Sequence, residues 1–466
     1  MAVNKEIGSI NKTVVMVVCA MAAFVTPFSM TGINVALPTI GKEFALSAVL
    51  LTWIVTGNVL AVGIFMVPAG RIADIYGRRK MFIYATALQT VSFIVAALAP
   101  NNTVFMTARI IQGIATAMSM ATYPAILVSV YPPSERGKVL GINAAAVYIG
   151  LSMAPFVGGL LTQYFGWRSI FYLCMIFSII ILIAATWKIK DEWAEAKGES
   201  FDIAGSVIFG LALIAIIYGM SLLPAVSGIL IFVAGLVFLG LFVVWELRVK
   251  SPVLDINLFR NSRVFSFSNL AALVNYMATY SISVLLSLYL QYVKGFTPQY
   301  TGIILLFQPV VQAIVAPVAG RLSDKIKPQV VSAVGMVFTT IGLIMFAFIT
   351  PDTPLVYICI SQLVTGLGFG AFASPNTNAI MSSVDKKFYG VASAVTGTMR
   401  TVGQTLSLGI TTLLFTLYIG HQQITPGPNP AFLQSAHIAF IISAVLCFGG
   451  IFASMISGRT PTVNNR

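Results

Sequence analysis

Apolar stretches long enough to cross a lipid bilayer recur from one end of this 466-residue chain to the other. A helix rises about 1.5 Å per residue, so roughly 20 apolar residues span the ~30 Å of hydrocarbon. Within hydrocarbon every backbone N–H and C=O needs a partner in the protein, which leaves helices or closed barrels. A barrel would show ten-residue segments of alternating polarity, and the runs here are unbroken. The sequence therefore predicts an all-α integral membrane protein with fourteen spans, at 13–36, 49–69, 81–99, 103–129, 138–162, 169–187, 203–222, 226–246, 265–291, 299–319, 329–349, 354–380, 389–418 and 435–457. Only 9% of the residues are charged. Soluble domains carry about 25%, so a water-soluble fold is excluded.

The charges that remain give the chain direction. The net charge is +13, but it sits in short loops between apolar runs rather than on one soluble face, which argues against a nucleic-acid partner. With the N-terminus in the cytoplasm, 22 of the 27 Lys and Arg residues fall in cytoplasmic segments, and only Lys42, Arg168 and Lys294 lie outside. The positive-inside rule then places both termini in the cytoplasm of a cell membrane, inner or plasma. The first apolar run lacks a small-residue cleavage site and is expected to remain as a span. Cys19, Cys174, Cys359 and Cys447 all fall inside spans without metal-ligand spacing. Neither a metal nor a cofactor is expected, and no phosphate-binding loop is present to use ATP. The Gly366–Gly370 run lies in an apolar span and reads as helix packing.

Charge and repetition divide the chain. The mixed-charge stretch 188–202 and the basic segment 248–263 flank spans seven and eight. The division is residues 1–190 as a six-helix bundle, 191–263 as a linker with two extra helices, and 264–466 as a second six-helix bundle. Ala69-Gly70-Arg71-Ile72-Ala73-Asp74 recurs 250 positions later as Ala319-Gly320-Arg321-Leu322-Ser323-Asp324. Repeated halves rocking about a central site are a common plan for secondary transporters.

These residues carry a resemblance. The segment Gly70 to Lys80, with Arg71, Asp74, Gly77, Arg78 and Arg79, resembles the signature loop after the second helix of the major facilitator superfamily. Arg109-Ile110-Ile111-Gln112-Gly113 is similar to its fourth-helix motif. Ala154-Pro155-Phe156-Val157-Gly158-Gly159 is similar to its fifth-helix antiporter motif, with alanine where glycine is usual. Asn34 to Pro38, Gly166-Trp167-Arg168 and Pro252 to Phe259 resemble the fourteen-helix drug:proton antiporter branch. The resemblance implies a monomeric transporter of a small molecule, coupled to protons or another ion, that works by alternating access. It also implies that Asp74, Arg78 and Arg79 latch the cytoplasmic side across the two halves while the transporter is open outward, echoed by Gly320, Arg321 and Asp324. The bland alternative is that these charges only hold the loop inside. Pro155, Gly158 and Gly159 would let span five pack closely on its counterpart in the other half.

One position departs from the branch. Its members carry an acid in the first helix, five positions before Asn34, where this chain has Ser29. All fourteen acids lie in loops or at span ends, which puts proton antiport of cations in doubt. Arg109 and Arg400 are the charges inside spans. Each reads either as a brace on backbone carbonyls or as a contributor to substrate binding or coupling. Polar cavity candidates are Ser29, Asn34, Asn58, Gln112, Asn275, Gln308, Gln312, Gln362 and Asn376, with Gln291 and Gln404. Aromatic candidates are Phe28, Trp53, Tyr123, Tyr148, Tyr276 and Tyr280, with Tyr289. Such a mixture suits a flat aromatic ligand with hydrogen-bonding edges. Export of amphipathic compounds is the leading expectation. Uptake of an aromatic nutrient such as riboflavin is the alternative, and a membrane sensor without transport is the reading from another class. No nucleophile–base constellation points to an enzyme.

Overall fold

The computed structural model describes residues 11–456 apart from 250, 251, 253, 255, 385–388, 421 and 428. Two positions of the Pro252–Phe259 segment, and His421, thus lie outside the described residues. The first part of the chain forms α1 (Lys12–Thr31), α2 (Leu37–Glu43), α3 (Ala48–Tyr76), α4 (Arg78–Ala97), α5 (Asn102–Val130), α6 (Pro133–Phe165) and α7 (Arg168–Lys188). Two helices follow, α8 (Ile203–Leu222) and α9 (Val226–Glu246). The remainder is α10 (Asn257–Asn261), α11 (Arg263–Thr279), α12 (Ile282–Leu288), α13 (Pro298–Leu305), α14 (Phe307–Ser323), α15 (Pro328–Ala347), α16 (Leu355–Ser382), α17 (Tyr389–Tyr418) and α18 (Pro430–Ile456).

Among the described residues, 13 helices are long and apolar enough to cross a membrane. The other expected span is α17, a helix of 30 residues with Arg400 and Gln404 inside it. Polar caps start these helices where the apolar runs begin. Ser47 accepts from Leu50 N, Asn101 from Val104 N at 3.0 Å and Asp202 from Gly205 N at 2.9 Å, each meeting a backbone donor that the first turn leaves free. Two spans are interrupted. The ninth divides into α11, α12 and a wide turn at Tyr289–Val293, and the tenth divides at Leu306.

The signature segment is less a loop than a corner. α3 continues to Tyr76, so Gly70 to Asp74 form its last helical turns, and Gly77 alone joins it to α4. Gly77 has φ +124°, a region that disfavours side chains. This end of the bundle is here called the motif end. α1 begins there and α18 finishes there: Tyr131 OH donates to Lys12 O (2.8 Å) and Ser454 Oγ to Gln329 O (3.2 Å).

α1 and α3–α7 pack on one another, and so do α11 and α14–α18. α8 and α9 form a hairpin that leans on α3 and α17. Contact between the two sets runs along two seams, α3 with α17 and α6 with α13 and α14. Span five therefore meets span ten, not the repeat-related span thirteen that was expected. The repeat explains the pairing. A 250-residue shift carries α3 onto α13–α14 and α6 onto α17, so both seams are one contact between a second and a fifth span, made twice. The α6 seam is close because it lacks side chains. A Cβ on Gly302 would collide with the Pro155 carbonyl, and one on Gly159 with the Pro298 carbonyl. Within its own set, Gly158 lies as closely against Gly32.

Candidate functional site

A cavity of about 500 Å³ lies between the two sets of helices. Of the expected residues, Asn34, Tyr123, Tyr148, Tyr276, Tyr280, Gln308, Gln312 and Asn376 line it, with Arg400 and Gln404. Four phenols line it: Tyr123 from α5, Tyr148 from α6, Tyr276 from α11 and Tyr280 just past the end of α11. Tyr276 stacks edge-on against Phe369 at 5.3 Å between centroids, which fixes the plane of its ring. Carboxamides come from α14 and α16. Among the described residues, no carboxylate lines the cavity, and Arg400 is its one charged side chain.

Other expected lining residues turn elsewhere. Ser29 Oγ donates to Thr26 O (2.9 Å) and is buried against its own helix. Phe28 stacks on Phe24 in the core, 5.6 Å between centroids. Trp53 packs against Tyr218 of α8 at 6.2 Å. Asn58 Nδ2 donates to Arg109 O (2.9 Å), so it ties α3 to α5. Asn275 and Gln362 are fully buried and do not reach the cavity. Gln291 Nε2 donates to Val35 O (2.8 Å), and Tyr289 OH to Thr350 O (2.6 Å).

The two intramembrane arginines separate. Arg109 is 1% exposed and is not part of the cavity wall. Its Nη1 donates to Gln112 Oε1 and its Nε to Ile54 O (3.4 Å). That arrangement braces α5 to α3. Arg400 lies in the cavity wall, which it shares with Tyr123, Tyr148 and Tyr276.

Sequence reasoning missed Asn143, the one asparagine of span five, which an intramembrane polar residue could have signalled. It also missed Met30, Met66, Met120 and Met381. Methionine reads as ordinary core in a sequence, although its flexible thioether suits a wall that adapts to ligand shape.

The cavity is sealed away from the motif end. Asn34 Nδ2 donates to Ser283 Oγ (2.8 Å), and Ser287 Oγ donates to Asn34 O (2.6 Å). Farther out, Ala48 N donates to Gln422 O (2.9 Å) and Tyr164 OH to Gln299 Oε1 (3.1 Å). Glu43 supports this end by pairing with Arg168 (2.7 Å) and accepting from Trp167 Nε1 (2.7 Å). The Arg168 hydrogen bond holds the Glu43 carboxyl below the usual carboxylate range. Toward the motif end the lining continues to Met381, one residue before α16 finishes, and to Ser393 near the start of α17. Among the described residues, no hydrogen bond or ion pair joins the two sets there beyond the Thr401 Oγ1 to Met66 Sδ contact (3.6 Å).

In this conformation the motif charges are occupied within their own set; the latch across the halves was expected of the outward-open state. Arg78 pairs with Asp74 (2.8 Å), with Glu195 (2.8 and 2.9 Å) and with Ser129 Oγ (2.8 Å). Arg79 donates to Ile189 O and Thr186 O, and its backbone N–H donates to Glu192 (2.9 Å). Arg71 pairs with Glu199 at 2.5 Å. The physical reason is proximity. Residues 189–202 leave α7, which packs beside α4, and so fall directly over Gly77. Among the described residues, the second copy has no such strap. Asp324 accepts only a long bond from Asn378 Nδ2 (3.3 Å), Arg321 is exposed, and Gly320 packs against Ser374.

Comparisons with known proteins agree with this architecture. A family model described as Major Facilitator Superfamily matches residues 19–408. The chain is 27% identical over 449 residues to a riboflavin transporter, RibZ, of Clostridioides difficile (strain 630), covering 96% of this chain and 98% of that one. It is 30% identical over 384 residues to a multidrug resistance protein, Stp, of Mycobacterium tuberculosis (strain CDC 1551 / Oshkosh), covering 81% and 71%. Among solved structures, a bacterial homolog of the human lysosomal transporter Spinster, inward-facing and unoccupied, superposes with a TM-score of 0.71 at 15% identity, covering 98% of this chain and 100% of that one. At that identity the likeness is one of fold.

Proposed function

The chain belongs to the major facilitator superfamily, and from that premise we propose that it carries small aromatic, hydrogen-bonding molecules across the cell membrane by alternating access about its central cavity. The observation that carries this reading is the cavity itself. Tyr123, Tyr148 and Tyr276 offer flat apolar faces with polar tips, and Gln308, Gln312 and Asn376 offer both donors and acceptors. That is the chemistry a planar heteroaromatic ring with polar edges would match.

On this reading, residues 1–190 and 264–466 are the rocking halves and 191–263 links them. The motif end faces the cytoplasm, as the basic loops require, and the conformation described is open inward. Turning outward would break the Asn34–Ser283 contacts and free Arg78 and Arg79 from residues 189–202 to meet the opposing half. The fourteen-helix drug:proton antiporter branch remains the best placement by motif. A cavity proton carrier of the carboxylate type has no residue to serve it among those described, because Ser29 stands at the family's acidic position and faces its own helix.

Export of amphipathic compounds is a second reading, favoured by relatives named for multidrug resistance. Uptake is favoured by the relative named as a riboflavin transporter, whose match covers nearly the whole chain. Reconstitution separates them. Proteoliposomes holding the full chain are given riboflavin, 1-naphthoate and ethidium, with and without pH and sodium gradients. Movement of riboflavin or 1-naphthoate supports the cavity reading. Movement of ethidium alone, or of none of the three, overturns it.

A further inference from the structure

Among the described residues, Arg400 is a cation without a counter-ion. It is residue 12 of the 30-residue α17, about 17 Å from the motif end by helical rise and so near mid-membrane. Among the described residues, no carboxylate lies within 4.0 Å of it and none lines the cavity it enters. A guanidinium at this depth is costly unless water or a partner meets it. The wall around it carries phenols, and a neutral hydroxyl cannot cancel the charge. Arg109 shows the contrast. That side chain is sealed in the core, away from the cavity, where Nε and Nη1 donate to Ile54 O and Gln112 while Nη2 is left without a partner among the described residues. Arg400 is only part-buried and stands in a wall that any bound molecule must touch.

A planar guanidinium presents parallel N–H donors that match a carboxylate in two-point contact. The tyrosines are placed to cover an aromatic body held beside it. A cationic guest would meet one like charge and no unlike one, in a cavity whose apolar walls leave the repulsion poorly screened.

We propose that the transported molecule is an aromatic monoanion, a carboxylate on a planar ring system, with Arg400 as its anchor. This rests on the central cavity being the transport site. Anion binding there would satisfy the arginine and close a charge imbalance that the protein alone leaves open.

The test is a matched series on one scaffold: 1-naphthoate, 1-naphthamide and protonated 1-naphthylmethylamine. Each is titrated against the purified full chain in detergent by calorimetry. Naphthoate is expected to bind at least tenfold more tightly than naphthamide, with the ammonium weakest. Arg400→Gln should erase the preference for the anion over the amide, while Arg400→Lys should keep part of it because the point charge remains but the fork does not. If Arg400→Gln fails to elute as a monodisperse peak, the Lys variant decides, with naphthoate expected three- to tenfold weaker than in the parent. Equal or tighter ammonium binding, an anion preference that survives Arg400→Gln, undiminished naphthoate affinity in Arg400→Lys, or no binding of naphthoate would each overturn the proposal. Riboflavin transport that persists alongside any of these results would leave the cavity reading standing and remove only the anionic substrate.

Discussion

Arg78 and Glu195 form a two-point ion pair, Nη1 to Oε1 at 2.8 Å and Nη2 to Oε2 at 2.9 Å, across the corner between α3 and α4. Arg78 is largely buried and also holds Asp74, so one guanidinium joins the motif helix to the strap that follows α7. If this strap occupies the latch while the cavity is open inward, weakening it should favour the outward conformation. Glu195→Gln is expected to shift the population toward the form closed at the motif end by about two- to fivefold. The effect is modest because Glu195 is 66% exposed and its pair is screened by water. Spin labels on α5 and α16 at the motif end, read by pulsed dipolar spectroscopy, should show a shorter distance gaining weight. An unchanged distribution would mean that the strap is only a tether.

Gly77 is constrained twice. Its φ of +124° disfavours any side chain, and a Cβ there would run into the Glu192 carboxylate, which caps the start of α4. Gly77→Ala should destabilise the protein by about 1–3 kcal/mol, read as a lower thermal midpoint in detergent. Adding Glu192→Ala should recover only part of the loss, because the backbone strain remains. Full recovery would assign the whole effect to the clash.

The α6–α13 seam should tolerate no added volume. Gly302→Val places branched atoms against the Pro155 carbonyl and should hold the two helices apart at the sealed end. Transport of riboflavin or 1-naphthoate should fall more than tenfold while the protein still inserts and purifies. Transport within twofold of the parent would show that the seam can open without loss.

Glu43 gives an acid-side dependence. Its pKa lies below the ordinary value of 4.5, chiefly through the Arg168 hydrogen bond. A carboxylate depressed in the folded state adds stability that is fully present above its unfolded value and is lost as pH falls through the folded one. The thermal midpoint should therefore hold from pH 7 to about 5 and decline below about 4.5. Glu43→Gln should flatten the part of that decline due to this residue, worth under about 1 kcal/mol given the pair's exposure. An unchanged acid decline in Glu43→Gln would remove Glu43 from the support of the sealed end.

Asp74→Asn should impair transport more than Ser29→Ala. Asp74 holds Arg78, whereas Ser29 only bonds its own helix. Equal and full activity in both variants would remove the motif from the transport cycle.

The membrane spans were legible because lipid imposes long apolar runs, and the eventual boundaries differ mainly where polar helical turns extend past the hydrocarbon, as α3 does to Tyr76. The cavity was half legible for a different reason. An intramembrane tyrosine or carboxamide announces that it needs a partner, but one residue turns about 100° around a helix, and nothing in the local sequence fixes the rotation. Tyr276 lines the cavity and its neighbour Asn275 does not. Thr26 and Met30 line it and Ser29, between them, does not. The pairing of span five with span ten was likewise hidden, since it follows from the relation between the halves rather than from either motif.

Asn34 and Ser283 touch across the sealed end, so they test alternating access most directly. In a background with the four native cysteines replaced, Asn34→Cys with Ser283→Cys is oxidised in proteoliposomes and uptake of riboflavin or 1-naphthoate is followed. Uptake should stop when the cross-link forms and return when it is reduced. Uptake at the parent rate with the link intact would contradict a path that must open between those two residues.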